Sequence, residues 1–207
     1  MKSLLEDKQE LVKKLSCTNP SLPYMYGTIK THKKGNPVRP IISSVSSASY
    51  LLSKWLTSIL SVIVGTISNS HVKNTMDLVS KLKSHNSNCL LVSFDVESLF
   101  TKVPVHDLLE FLKRKLHEVE LPVNLSVFLK LIELCVLDNV FTVNKKFYKQ
   151  IFGFAMGNPL SPVLANIYME FFEINLLPRI ITFELIWYRY VDDIVCLLPE
   201  ILILIFC

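Results

Sequence analysis

Paired carboxylates stand near the end of the 207-residue sequence, and a third carboxylate precedes them by much of the chain. Asp192 and Asp193 lie between two strand-like apolar runs, and Asp95 lies in a third apolar run, Cys89–Val96. Two carboxylates about 4 Å apart repel by roughly 4 kcal/mol at an effective dielectric of about 20. Either one of them takes up a proton or a divalent cation offsets the repulsion. Carboxylate oxygens suit Mg²⁺ or Mn²⁺ better than Zn²⁺.

The third carboxylate makes a metal site a stronger hypothesis than the pair alone. Acidic turns are common, and an aspartate that ends a strand can simply cap the next turn, so the pair by itself is weak support. Three carboxylates on neighbouring strands can hold two cations, an arrangement that activates an attacking hydroxyl and stabilises a leaving pyrophosphate. We therefore predict that Asp95 lies beside Asp192 and Asp193 and that the three bind two Mg²⁺ ions, or Mn²⁺ in their place.

The elements that must position these residues are mixed strands and helices, which predicts an α+β fold. The apolar run Cys89–Val96 is typical of a strand buried on both faces. Asn144-Lys145 separates two β-rich runs, as in a hairpin. Asn158-Pro159 has the residue types of an N-cap and a first helical residue. The remaining predictions are a helical region through about residue 67, a polar connection over 80–88, helices from 104, over 125–137 and through 172, and strands over 182–190 and 194–198.

Composition and charge restrict the class of protein. Half of the residues are hydrophobic, which is enough to bury a sizeable core and argues against a disordered chain. The net charge of +4 is uneven, because Tyr24–Pro40 contains Lys30, Lys33, Lys34 and Arg39 and no acidic residue. Such a patch indicates an anionic partner, nucleic acid or a triphosphate, although a solvated surface is an equally good interpretation.

The cysteines and the first residues indicate an intracellular protein of the nucleus or cytoplasm. The five cysteines are odd in number, widely spaced and mostly in apolar runs, as reduced core residues are, and they lack metal-ligand spacing. The charged N-terminal segment lacks the apolar core of a secretory signal. The uncharged segment 55–70 is shorter than the roughly 20 residues of a membrane span, which favours a buried helix over an anchor. The apolar end, 201–207, is either a buried strand or the product of a broken reading frame.

Five motifs follow one another along the chain: Tyr26–Lys33, Arg39–Ile41, Ser93–Phe100, Gly153–Pro162 and Tyr188–Asp193. In this order and spacing they resemble reverse transcriptases, most closely those of Penelope-like retroelements. The resemblance implies an RNA-directed DNA polymerase that joins deoxynucleoside triphosphates to the primer 3′-hydroxyl by two-metal catalysis. Its partners would be an RNA template and a DNA primer, without a membrane, and the oligomeric state stays open.

The resemblance also implies roles for residues near the carboxylates. Asp95 resembles the first metal-binding aspartate of the polymerase palm, with the backbone of Val96 as an additional ligand. Asp192 and Asp193 resemble the paired aspartates of the family. Phe100 is similar to the steric gate, whose ring would clash with a ribose 2′-hydroxyl and so select deoxynucleotides, although a core phenylalanine is the simpler alternative.

Basic residues of the N-terminal half resemble the triphosphate contacts of the family. Arg39 resembles the fingers arginine, whose planar guanidinium is well suited to phosphate oxygens. Either Lys30 or Lys33 resembles its lysine companion, and the sequence leaves both alignments open.

A turn-rich segment matches the part of the family that packs beneath the nucleotide and template. Gly157 is expected among the nucleotide contacts, and Asn158 and Pro159 among those to template and primer, together with Tyr190. Met156 stands where many reverse transcriptases have glutamine, which removes one polar contact.

The fold implied is a right-hand polymerase with fingers and palm, whose antiparallel palm sheet is backed by helices and whose thumb is absent. We expect an N-terminal fingers region over 1–88 and a palm core over 89–207, with a fingers insertion around 118–152, truncated before the thumb. Without a thumb, the grip on nucleic acid should be weak and salt-sensitive. Two other functions stay open: a catalytically inactive, truncated polymerase remnant that only binds nucleic acid, and a membrane-associated protein anchored by 55–70.

Overall fold

The computed structural model describes residues 2–31, 33–85, 89–137, 139–181 and 185–199. The chain divides into a first unit, Met1–Val62 with Phe100–Leu164, and a second unit, Ile63–Leu99 with Ala165–Cys207. The boundary expected near residue 88 stays a prediction. The described helices are α1 (Lys2–Leu15), α2 (Tyr50–Leu60), α3 (Thr75–Lys83), α4 (Leu99–Lys102), α5 (Val105–Lys115), α6 (Leu125–Leu137), α7 (Ser161–Asn175) and α8 (Leu177–Ile180). The described strands are β1 (Tyr24–Ile29), β2 (Val38–Ser43), β3 (Cys89–Asp95), β4 (Val140–Val143), β5 (Lys146–Lys149), β6 (Ile186–Tyr190) and β7 (Asp193–Pro199).

The first unit contains a four-stranded sheet in the order β2-β1-β4-β5. β1 and β2 form an antiparallel hairpin, and β1 runs parallel to β4, with Tyr24 opposite Thr142. One face of the sheet is closed by a small core of Ile42, Phe141 and Ala155. The sequence missed the β1–β2 hairpin, because its proline and lysine content resembles that of a surface connection.

The predicted hairpin at Asn144-Lys145 and the predicted helix over 125–137 are confirmed. Val143 pairs with Lys146, and both turn residues have positive φ, 49° at Asn144 and 63° at Lys145, as a type I′ turn requires. Helix α6 has the predicted bounds and buries Phe128 on its apolar side. The helix expected from residue 104 begins one residue later.

The second unit contains a three-stranded antiparallel sheet in the order β3-β7-β6. The backbone of Arg189 on β6 also bonds on its outer side, donating to the Ser70 carbonyl (2.8 Å) and accepting from the Val72 amide (2.9 Å). The two strand-like runs that flank Asp192 and Asp193 in the sequence form the antiparallel pair β6 and β7, which closes with Tyr190 opposite Asp193. Of the strand predicted over 182–190, residues 182–184 lie outside the described residues, as does the predicted tail element at 201–207.

The prediction that the strand over 89–96 is buried on both faces is wrong. Among the described strands β3 pairs with β7 alone and so lies at the edge of the sheet, and Leu91 is 60% and Phe94 51% exposed. An apolar run reports β propensity, which is the same for an edge strand and a central one, so it did not reveal the number of neighbours.

Three predicted helix limits also need correction. Asn158 is not the N-cap of α7, because its Oδ1 accepts from the Leu160 amide and its carbonyl from the Ser161 amide, forming a turn before the helix begins. The helix then continues past residue 172 to Asn175. The helical region ends at Leu60 rather than near 67. The connection predicted over 80–88 begins inside α3.

No helix among the described residues is long and apolar enough to cross a membrane.

Candidate functional site

Asp95 and Asp193 lie directly opposite each other on the antiparallel strands β3 and β7. Tyr190 is in turn opposite Asp193 on β6, so the three residues form one row across the sheet. Side chains in one row project from the same face, with Cα atoms of opposed residues about 4.5–5.5 Å apart. All three side chains are exposed. The expected convergence of Asp95 with the paired aspartates is therefore confirmed for Asp193.

Asp192 is held next to the same strand end by its backbone. The amide of Val96 donates to the carbonyl oxygen of Asp192 over 3.0 Å. Val191 and Asp192 form the two-residue turn between β6 and β7, with φ of 57° at Val191 alone, the pattern of a type II′ turn. A β-branched residue in that conformation is strained by about 1–3 kcal/mol. The surrounding contacts must hold the turn in this shape.

The donor chemistry of this row fits a hard divalent cation, since Asp95, Asp192 and Asp193 offer only carboxylate and carbonyl oxygens. Within the described ranges, however, no group of three or more His, Cys, Asp or Glu side chains is gathered closely enough to hold a metal ion. Like charges repel, so the carboxylate side chains are more stable when they point away from one another, until a cation offsets the repulsion. The strands thus bring the three residues together, and the expected closed cluster of side chains is not preformed.

A buried ion pair supports the turn from the opposite face of the sheet. Arg189 is fully buried, and its Nε donates to Glu173 Oε1 of α7 over 2.5 Å. Its Nη1 donates to Asn166 Oδ1 (2.8 Å) and to the Val191 carbonyl (3.1 Å). Arg189 therefore joins the strained turn to the second-unit part of helix α7.

A second buried acid of the same helix fixes the chain that flanks β6. The carboxylate of Glu170 accepts from the backbone amides of Gly65 (2.7 Å), Ile67 (2.9 Å) and Ser68 (3.1 Å). Ser68 also donates from its hydroxyl to Glu173 Oε2 over 2.6 Å. The sequence interpretation overlooked this network. Two glutamates three residues apart, the charged residues of a mostly apolar helix, were the available signal.

The basic residues predicted to bind a triphosphate lie together on the β1–β2 hairpin of the first unit. Arg39 is exposed on β2, opposite Thr28. Lys30 is half-buried, and its amide closes the connecting loop by donating to the Pro37 carbonyl over 3.0 Å. Lys33 is exposed within that loop. Their roles, and the choice between the two lysines, stay predictions.

Gly157 has a packing reason to be glycine. Its φ is 125°, and an added Cβ would overlap the carbonyl oxygen of Ile42 on β2. The neighbouring Met156 carbonyl accepts from the Ile42 amide over 2.7 Å, and the Ser44 hydroxyl donates to the Gly157 carbonyl over 3.0 Å. This segment therefore packs against β2, and its contact with a nucleotide stays a prediction.

The other predicted contacts of the first unit differ in exposure. Asn158 is 3% exposed, and its Nδ2 donates to the Cys135 carbonyl over 3.0 Å, so its side chain orders the turn before α7. Pro159 is half-buried. Phe100 is half-buried on α4, and its carbonyl accepts from the Phe154 amide over 2.6 Å. Direct contact of Asn158 with template or primer stays a prediction, as does the steric gate.

Comparison with known proteins gives a family and a fold. Residues 31–202 match the family described as reverse transcriptase (RNA-dependent DNA polymerase). No curated protein matches the sequence.

Several solved structures are similar to this one. The telomerase of Candida tropicalis in complex with the TWJ fragment of telomeric RNA has a TM-score of 0.67 at 12% identity, over 97% of this chain and 40% of that one. Apo telomerase of the same organism, truncated from the C-terminal domain, has a TM-score of 0.62 at 13% identity, over 92% of this chain and 47% of that one. The Sicinivirus 3Dpol RNA-dependent RNA polymerase has a TM-score of 0.55 at 12% identity, over 90% of this chain and 43% of that one. The chain therefore spans less than half the length of these proteins, and at such identities the likeness shows the fold alone.

Proposed function

Because the chain belongs to the reverse transcriptase (RNA-dependent DNA polymerase) family, we propose that it is the fingers-and-palm part of a Penelope-like retroelement polymerase. It would extend a DNA primer along an RNA template, using deoxynucleoside triphosphates. The observation that supports this most strongly is the register of β3 and β7, which sets Asp95 opposite Asp193 beside the turn that carries Asp192. The right-hand arrangement of fingers and palm is part of the same proposal.

The three aspartates would hold two Mg²⁺ ions, with the backbone of Val96 as an additional ligand. When bound, such ions lower the pKa of an attacking hydroxyl and neutralise charge that develops on the phosphates. Asp95 and Asp193 would contribute from neighbouring strands, and Asp192 from the turn. The bond from the Val96 amide to Asp192 keeps the turn beside the end of β3.

The first unit would bind the nucleotide. Arg39, with Lys30 or Lys33, offers charge-assisted hydrogen bonds to triphosphate oxygens from one hairpin. Phe100 would exclude a ribose 2′-hydroxyl, which makes the product DNA.

The remaining contacts would hold nucleotide, template and primer. Gly157 and Pro159 would lie against the nucleotide or template, with Asn158 acting through the turn that it orders. Tyr190 would approach the primer from the row that contains Asp193.

An alternative in the binding class is a polymerase remnant that holds nucleic acid without catalysis. The observation that favours it is the absence of a preformed carboxylate cluster in the described ranges. In that case nucleic-acid binding would persist without Mg²⁺ and no nucleotide would be added.

Primer extension separates the two functions. We expect Mg²⁺-dependent addition of deoxynucleotides to a DNA primer on an RNA template, and its loss in Asp192→Asn and Asp193→Asn, which preserve side-chain size and remove charge. Glu120→Gln is the matched control, because this exposed acid lies in the first unit and has no proposed role. If the wild-type chain binds a primed template and adds no nucleotide at any Mg²⁺ concentration, the remnant interpretation replaces the enzyme.

A further inference from the structure

A cavity of about 430 Å³ lies beside strand β6 in the second unit. Trp187 and Tyr188 both line it, although neighbouring residues of a strand project from opposite faces of the sheet. The cavity therefore lies at the edge of the strand rather than on one face. Its volume is within the range of about 300–1,000 Å³ that is usual for small-molecule sites.

The backbone of β6 offers a hydrogen-bond donor and an acceptor at this edge. The backbone groups of Arg189 point away from β7, because they bond to Ser70 and Val72. Backbone direction alternates along a strand, so the N–H and C=O of Trp187 point to the same side. Ser70 also lines the cavity, which places the cavity beside these two groups. Within the described residues neither Trp187 group has a hydrogen-bond partner, so both can bind a ligand.

A buried carboxylate supplies a second acceptor. Glu173 lines the cavity and is 7% exposed. Its Oε1 accepts from Arg189 Nε and from Trp187 Nε1 (3.3 Å), and its Oε2 accepts from the Ser68 hydroxyl (2.6 Å). A carboxylate has about four acceptor sites, so these contacts leave one open at Oε2. Because buried polar groups are more stable when hydrogen-bonded, the site favours a ligand that brings a further donor.

The other walls of the cavity are mostly apolar and carry no positive charge. The apolar lining consists of Leu177, Pro178, Ile181 and Leu185. Among the described lining residues none is basic, and Glu173 is the charged one. Apolar walls suit a flat ring system, whereas phosphate groups need basic partners. The complementary ligand is an uncharged planar heterocycle with a donor next to an acceptor on one edge.

We propose that this cavity binds an amino-bearing nucleobase, presented as a nucleoside without phosphates. The Trp187 N–H donates to the ring nitrogen next to the amino group, and the amino group donates to the Trp187 carbonyl and to Glu173. Adenine combines these groups on one edge, with N1 as the acceptor and the N6 amino group as a double donor. The cavity shares no residue with the carboxylate row or the β1–β2 hairpin, so the inference does not depend on the proposed polymerase function.

Binding is tested by equilibrium dialysis of labelled adenosine in EDTA, so that no metal-bound nucleotide contributes. We expect adenosine to bind at least about fivefold more tightly than purine riboside, which lacks the amino group and leaves Glu173 without the added bond. Adenosine should also bind at least about fivefold more tightly than ATP, because the phosphates would lie near a carboxylate and no basic lining residue. ATP that binds as tightly as adenosine would assign the binding to a triphosphate site and overturn the inference.

Variants that fill the cavity test its location. Leu177→Trp and Ile181→Trp each place a large side chain in the cavity and should abolish measurable binding of adenosine. Ile180→Trp is the matched control, because this neighbouring residue is 70% exposed and does not line the cavity, and it should bind adenosine like the wild type. Cavity variants that circular dichroism shows to be folded and that bind adenosine like the wild type would overturn the inference.

The fluorescence of Trp187 gives a second, independent measurement. The chain has two tryptophans, so Trp187 is the remaining one in a Trp55→Phe variant. Trp187 is half-buried, and adenosine bound beside it should change its emission with the dissociation constant that dialysis gives. Adenosine binding without any change in the emission of Trp187 would place the ligand elsewhere and contradict the proposal.

Discussion

The fully buried guanidinium of Arg189 forms an ion pair with Glu173 and also donates to the carbonyl of Val191, the strained residue of the acidic turn. One side chain thus joins the turn to the helix that supports the second-unit sheet. Because the partners are buried, removal of either leaves a charge without compensation, which typically destabilises a protein by about 3–5 kcal/mol.

Arg189→Leu and Glu173→Gln are therefore expected to lower the free energy of unfolding by about 3–5 kcal/mol each, as measured by urea denaturation. The double variant Arg189→Leu/Glu173→Gln should lose less than the sum of the two single losses, because it leaves no buried charge unpaired. Lys14→Ala, at the exposed ion pair with Glu10 in α1, is the control and should leave the free energy of unfolding nearly unchanged, because solvent screens an exposed pair. Additive losses in the double variant would contradict a coupled pair.

Gly157 and Gly35 together test whether the close contact of the Gly157 backbone with β2 contributes to stability. Both have positive φ, but an added Cβ at Gly157 would overlap the Ile42 carbonyl, whereas at Gly35 it would meet nothing within 4 Å. Gly35→Ala should cost about 1 kcal/mol of stability, and Gly157→Ala at least about 2 kcal/mol more, since β2 must move. Thermal or urea unfolding of the two variants measures the difference. Equal losses would show that the contact with β2 is unimportant.

His71 makes stability depend on pH in a defined direction. Burial, with smaller effects of Arg189 and Lys81, holds the pKa of His71 below its usual 6.5, although Glu170 and Glu173 oppose the shift. As pH falls through 6.5, the unfolded chain takes up a proton that the folded chain does not, so the free energy of unfolding decreases.

The wild type should therefore be less stable at about pH 5.5 than at about pH 7.5, and His71→Gln should lose less over the same interval. Urea denaturation at the two pH values measures this, with His106→Gln, an exposed position on α5, as the control. The same pH dependence in His71→Gln and wild type would exclude His71 as its source.

The sequence predicted correctly the elements that depend on neighbouring residues in the chain. The bounds of α6 follow from its apolar content and length, and the β4–β5 hairpin from the turn chemistry of Asn144-Lys145. The start of α7 was misplaced because the Asn158 side chain closes a turn of its own before the helix. The sequence thus predicted which elements are present better than it predicted their first and last residues.

Non-local contacts decided the rest. The edge position of β3 depends on which strands pair with it, and an apolar run carries no such information. The convergence of Asp95 with Asp193 was predictable only because the acids lie at the ends of strand-like runs. Arg189 was overlooked since its partner, Glu173, lies on another element, and a lone basic residue in a strand does not identify its counter-ion.

The central claim is that Asp95, Asp192 and Asp193 bind divalent ions together, and Mn²⁺ titration followed by electron paramagnetic resonance tests it most directly. In the presence of a deoxynucleoside triphosphate and a primed template, the wild type should bind two Mn²⁺ ions, beyond those held by the nucleotide alone. Asp95→Asn and Asp193→Asn should each abolish or weaken that binding by at least about tenfold, as loss of a charged oxygen ligand implies, while Glu120→Gln should bind like the wild type. Identical Mn²⁺ binding by the wild type and both aspartate variants, on folded protein, would contradict the account.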